Sequence, residues 1–161
     1  MMKIIYILLL ACFSFMSIAS DFLNDFQSQL ELNSKNYLSE KQGENDLAYY
    51  FYLVEYGNAD AIKFSSILLK YTDASLTMGV YNSLARGLIK NPQVILTLPN
   101  IENNLHDICT VPFFDAPLDI ETIHINQAIW VLKNVSLDTK TGKKNKKDCL
   151  AIFNGISKNI R

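Results

Sequence analysis

The chain has 161 residues, of which 49% are hydrophobic and 19% charged, with a formal net charge of −1 at neutral pH. That balance supplies no field to draw nucleic acid or an anionic membrane, so no nucleic-acid partner is expected, and the composition is that of an ordinary globular protein. Few Gly and Pro with many Asn, Lys and Ile suit an A+T-rich bacterial gene.

Residues 1–20 read as a secretory signal peptide. Lys3 precedes an unbroken apolar run over 4–13, and Ser17-Ile18-Ala19 supplies a small-x-small cleavage pattern, so that Ser20 or Asp21 begins the mature chain. The run is shorter than the roughly 20 residues of a bilayer span and acidic residues follow it at once, which favours removal over anchoring. No membrane insertion is expected after cleavage, and the expected location is periplasmic or secreted. Leu9-Leu10-Ala11-Cys12 also resembles a bacterial lipobox, with Cys12 as the acylated residue of an outer-envelope lipoprotein accessory. The apolar Phe13, Phe15, Met16 and Ile18 beyond it suit ordinary cleavage better. Residues 21–161, about 140, suffice for one hydrophobic core, and a single domain is expected.

From there the periodicity is helical throughout. Phe22, Phe26 and Leu30 mark a first amphipathic helix over 21–32, extendable through Tyr37 and Leu38. Gln42-Gly43-Glu44-Asn45 breaks it, with Asn45 as N-cap of a second helix through Tyr56 that Gly57-Asn58 ends. A third spans 59–71. Thr72-Asp73 stops it and caps a fourth, to about residue 90, on Leu76, Val80, Leu84, Leu88 and Ile89. Asn91-Pro92 opens another with Val94, Ile95 and Leu98 buried, and Pro99 ends it. Residues 100–117 read mainly as apolar loop with a turn of helix over 105–109. Asp119 then caps a helix carrying Ile123, Ala128, Ile129, Trp130, Leu132 and Val135, and Asp148 opens a last one carrying Leu150, Ile152, Phe153 and Ile156, with a basic loop between. The expected class is all-α: antiparallel helical hairpins in one compact bundle or a short HEAT-like stack.

Loss of Cys12 with the leader leaves two cysteines, Cys109 and Cys149, which an oxidising compartment would pair. Closing a loop of about 40 residues stabilises by roughly 4 kcal/mol in the chain-entropy description. The rival reading keeps Cys109 reduced as a nucleophile or ligand with His106 and His124. A separate alternative is a small envelope enzyme that uses His106 or His124 with neighbouring carboxylates. The run from Leu84 to Leu96 with Arg86-Gly87 and Asn91-Pro92 inside it, followed by Ile108-Cys109-Thr110-Val111-Pro112-Phe113 and a late cysteine, resembles small exported helical proteins of bacteria with HEAT-like hairpins. That resemblance implies the helical fold and the Cys109–Cys149 pairing, and carries no catalytic residue with it.

Two features invite a partner. Tyr49-Tyr50-Phe51-Tyr52 with Tyr56 puts rings on nearly every side of one helix; Tyr50, Phe51 and Val54 form its core stripe, and Tyr49, Tyr52 and Tyr56 are candidates for a recognition surface. Lys140, Lys143, Lys144, Lys146 and Lys147 crowd into eight residues, either as a solvated connection or as a patch that steers an acidic partner. Metal-binding spacings, a nucleophile elbow and phosphate-loop glycines do not occur, so no metal, cofactor or catalytic residue is assigned. The reading is a non-enzymatic, exported protein-binding module for a periplasmic or envelope protein, an immunity or inhibitor protein being its concrete form.

Overall fold

Caps, glycines and prolines divide an otherwise continuous helical periodicity into elements. A computed structural model describes residues 2–113 and 115–159, with side chains from residue 19 onward. The apolar run expected as a leader and the acylation considered at Cys12 thus fall outside the described side chains. Among the described residues every regular element is helical: α1 (Met2–Ser39), α2 (Lys41–Glu55), α3 (Ala59–Leu68), α4 (Ala74–Gly87), α5 (Pro92–Ile95), α6 (Leu105–Ile108), α7 (Leu118–Asn134) and α8 (Lys140–Asn159), with a 3-10 turn over Ile101–Asn104. The all-α class is therefore what forms. The chain divides into two compact units, Met1–Tyr50 and Phe51–Arg161.

In the first unit, α1 contains a non-helical residue at Asn33 (φ −162°, ψ 61°), so it is two helical runs across a bend. The bend falls where the Phe22, Phe26, Leu30 stripe ends. Phe26 and Leu30 are buried, and the Phe26 ring lies 6.0 Å from that of Tyr37 and 6.3 Å from that of Tyr50. α2 starts at Lys41, ahead of the expected cap at Asn45, and Gly43 sits inside it rather than breaking it. A Cβ on Gly43 would stand 2.0 Å from the Tyr37 carbonyl oxygen, so glycine here permits a close backbone approach. The Tyr37 hydroxyl donates to Asp46, whose carboxylate also accepts from Gln42 at 3.0 Å. Burial, then the Asp46 carboxylate, hold the Tyr37 phenol far above its ordinary pKa.

In the second unit the expected punctuation operates. Gly57 adopts φ 86°, its N–H donates to Val54 O at 2.9 Å, and the Asn58 N–H donates to Leu53 O at 2.9 Å, the paired bonds of a Schellman ending. Asn58 Oδ1 then accepts from Asp60 and Ala61 N–H, Asp73 Oδ1 from Leu76 N–H at 2.9 Å, and Asn91 Oδ1 from Val94 N–H at 3.3 Å, which starts α3, α4 and α5. α3 and α4 stop at Leu68 and Gly87, before the expected ends. α7 begins at Leu118 behind Pro117, so Asp119 lies in its first turn beside the positive helix end and does not cap it. α3 packs with α5, α4 with α5 and α6, and α8 with α6 and α7. Leu68, Leu84, Leu88, Ile95, Ile108 and Phe153 are fully buried between them.

The largest departure is at α8. The lysine-rich stretch expected as a loop forms the first two turns of this helix, which begins at Lys140 and not near Asp148. Thr139 Oγ1 accepts from Gly142 N–H at 3.0 Å, the N-cap to N3 bond, and lysine propagates a helix well. The buried stripe runs Gly142, Asn145, Cys149, Phe153. Asn145 is wholly buried and its Nδ2 donates to the Leu96 carbonyl at 3.0 Å, which satisfies an acceptor past the end of α5.

Cys109 and Cys149 form a disulfide closing a separation of 40 residues, and both are fully buried. It ties the end of α6 to the middle of α8. Arg86 of α4 holds the following segment: its Nη1 lies 2.7 Å from Glu55 Oε1, its Nη2 donates to the Pro112 carbonyl at 2.9 Å, and its guanidinium stands 5.5 Å from the centre of the Phe113 ring.

Replacing Cys109 and Cys149 by alanine together is expected to lower unfolding free energy by about 4 kcal/mol, read from urea midpoint and m-value together, since freeing the unfolded chain also raises m. Asn145→Ala strands the Leu96 carbonyl in the core and is expected to cost about 1–3 kcal/mol in the same assay, whereas Lys143→Ala on the exposed side of the same turn should lie within about 0.5 kcal/mol of wild type.

Candidate functional site

The five lysines at the start of α8 do not form one equivalent patch. Lys146 is half-buried, and its Nζ lies 2.8 Å from the Val135 carbonyl and 3.4 Å from that of Lys133, satisfying acceptors at the C-terminal end of α7 where a cation is favoured. Lys144 pairs with Asp148 at 3.4 Å, one turn on. Lys140, Lys143 and Lys147 are exposed, and so is Lys133 on α7. The contacts of Lys146 set the lysine-bearing turns of α8 beside the last turn of α7.

α7 also carries an apolar face which the sequence reading assigned to no site. At 3.6 residues per turn, His124, Ala128 and Leu132 occupy one side of α7 and are buried. Ile123 and Trp130 occupy the opposite side and are 52% and 67% exposed, and Ile120, one turn before His124 at the flank, is 43% exposed. Their spacing was the available signal: Ile123 and Trp130, seven apart, share a stripe that excludes Ala128 and Leu132, so α7 has two apolar faces and one core to fill. The outer one, with Gln127 and Asn134 along it and lysines at its C-terminal end, is an exposed amphipathic surface. Aromatic and branched aliphatic groups in such a setting are the usual anchors of protein recognition.

The tyrosines separate by unit. Tyr49, in the first, is the least exposed, and its ring meets Phe22 edge-on at 4.7 Å. Tyr52 and Tyr56, in the second, are more than half exposed, with ring centres 5.2 Å apart. Tyr50 and Val54 are fully buried and Phe51 partly so, as the core stripe required.

The histidines occupy different environments. His106 is exposed on α6, while His124 is buried, edge-on to Phe113 at 5.4 Å and 6.2 Å from Phe153. Cys109 is committed to the disulfide, so the thiol that a nucleophile or thiolate ligand requires is consumed. Among the described residues no three His, Cys, Asp or Glu side chains gather to hold an ion, and no helix is long and apolar enough to cross a membrane. A buried structural disulfide belongs to a non-reducing compartment. Compared with known proteins, the chain matches no family model, no curated sequence and no solved structure.

Burial lowers the His124 pKa below its ordinary value; a hydrogen bond with the Thr110 backbone opposes this and the nearby Arg86 charge adds to it. Its Nε2 is buried without a partner, so a second ring proton has nowhere to bond. A depressed histidine pKa means that the unfolded chain takes up a proton the folded chain resists. The contribution of His124 is thus intact above about pH 6.5 and lost as pH falls through that value toward the folded pKa. Melting temperature should drop between pH 7.5 and 5, and in His124→Gln that segment of the curve should flatten relative to wild type; an unchanged slope would assign the drop to other groups.

Proposed function

We propose that this chain is an exported, disulfide-stapled protein-binding module of the periplasm or extracellular space, acting by occluding or sequestering one acidic protein partner. The observation that carries it is the outward face of α7, where Ile123 and Trp130 lie uncovered, on a helix whose C-terminal end meets, through Lys146, the turns of α8 that bear the exposed Lys140, Lys143 and Lys147. Apolar anchors supply most of the affinity in such an interface, and flanking cations steer the encounter and favour a partner with carboxylates around an apolar patch. A periplasmic immunity or inhibitor protein is the concrete form of this reading. It needs a rigid helical surface and no chemistry, and a buried staple suits service outside the cytosol. The resemblance to small exported HEAT-like helical proteins belongs to the same proposal.

The test is capture from a periplasmic extract on immobilised wild type, Trp130→Ala/Ile123→Ser and Lys140→Glu/Lys143→Glu/Lys147→Glu. One acidic protein is expected on the wild type, lost at least tenfold on the α7 variant and captured more slowly, with weaker salt dependence, on the lysine variant. Equal capture on all three would remove α7 and α8 as the binding surface.

A further inference from the structure

A second concave feature lies in the unit Phe51–Arg161 and owes nothing to the α7 surface. A half-open cleft of about 300 Å³ is enclosed by the end of α3, the face of α4 bearing Tyr81 and Leu84, and the segment from Leu98 to Ile108. That volume falls at the lower end of the range for small-molecule sites. Leu98, Ile101 and Ile108, all buried, make its inner wall apolar.

Its rim is polar in a particular way. Lys70 brings an ammonium group from the turn after α3. Asn100 and Asn104 stand at the starts of the 3-10 turn and α6, yet neither side chain caps the turn that follows, the work asparagine does at the starts of α3 and α5. Two carboxamides not engaged in capping thus line the same cleft. Tyr81 lines the opposite side; burial first, then the charge of Asp107, raise its phenol pKa, so the hydroxyl stays protonated and able to donate at neutral pH.

The lining itself, with one cation, neutral donors, an apolar wall and no carboxylate among its residues, describes complementarity to a monoanion with a short hydrocarbon body, and the Asp107 charge that acts on Tyr81 favours the anionic end at Lys70 and the asparagines and not at Tyr81. A phosphate dianion would call for a second cation or a wider set of donors, and a purely apolar ligand would leave the Lys70 rim unused. We infer that this cleft is a binding site for a small aliphatic monocarboxylate, its carboxylate at Lys70 and the Asn100 and Asn104 carboxamides and its chain against Leu98, Ile101 and Ile108.

The test is an amide-resolved NMR titration of the full chain with hexanoate, hexylamine and 1-hexanol. Hexanoate is expected to give saturable shifts at Ser66, Lys70, Asn100 and Asn104, with affinity at least tenfold above that of either other probe. Lys70→Met, at an exposed position, should abolish that preference while leaving 1-hexanol binding unchanged. Ser66→Trp, which fills the cleft, should eliminate binding of hexanoate with helix content retained by circular dichroism. Hexanoate that fails to saturate, binds no better than hexylamine, or is indifferent to Lys70→Met overturns the assignment; should Ser66→Trp unfold, Lys70→Met alone decides it.

Discussion

The Cys109–Cys149 bond is the constraint around which the second unit is arranged. α6 is a single turn of helix, Leu105–Ile108, too short to hold itself in water, and the segment after it has two prolines and little periodicity. Such a segment is ordered by what it is fastened to. The disulfide fastens its start to α8, and Arg86 fastens its next residues to α4 through Pro112 and Phe113. With both ends of that stretch held, Phe113 meets His124, and α7 closes against α8. A chain of this size has a core of limited area, so covalent closure of a long loop is a large part of what keeps the folded state ahead of the conformational entropy it gives up.

Asp73 and Asn91-Pro92 were legible as helix starts, and Gly57 as an end, because each is a local sequence event whose reading needs no knowledge of the tertiary fold. Asn58, read as part of that ending, also caps α3, while the caps expected at Asn45, Asp119 and Asp148 fall inside helices that start earlier. The start of α8 was not legible in the same way. Its buried stripe opens with Gly142 and Asn145, which no hydrophobic pattern counts, and the five lysines around them look like a solvent loop. What decides the matter is nonlocal: the Leu96 carbonyl, 49 residues away in sequence, needs the Asn145 amide. Gly43 was misread for a related reason, since its absent side chain serves the Tyr37 backbone and not a break in the helix.

The candidate surfaces divide along the same line. Aromatic crowding around Tyr49 to Tyr56 was visible, as was the core stripe through Tyr50 and Val54, because both follow from composition and period alone. The outer face of α7 was present in the spacing of Ile123 and Trp130 but competed with Ala128 and Leu132 for the same core, and only the packing of α7 on α8 settles which set turns inward. Arg86 carried no signal at all. Its three engagements reach residues 31, 26 and 27 positions away, and a single arginine near a helix end is otherwise unremarked.

The position of the disulfide also bears on how such a protein meets proteases. The connection over residues 135–139, exposed at Ser136, Asp138 and Thr139, lies between the two cysteines, as does the chain from α7 to the first turns of α8. A nick there breaks the backbone and leaves both fragments in one covalent molecule, with the second half of α8 still buried against α6. Cleavage at that site leaves the pieces joined, and their dispersal waits on a reductant that an oxidising compartment withholds.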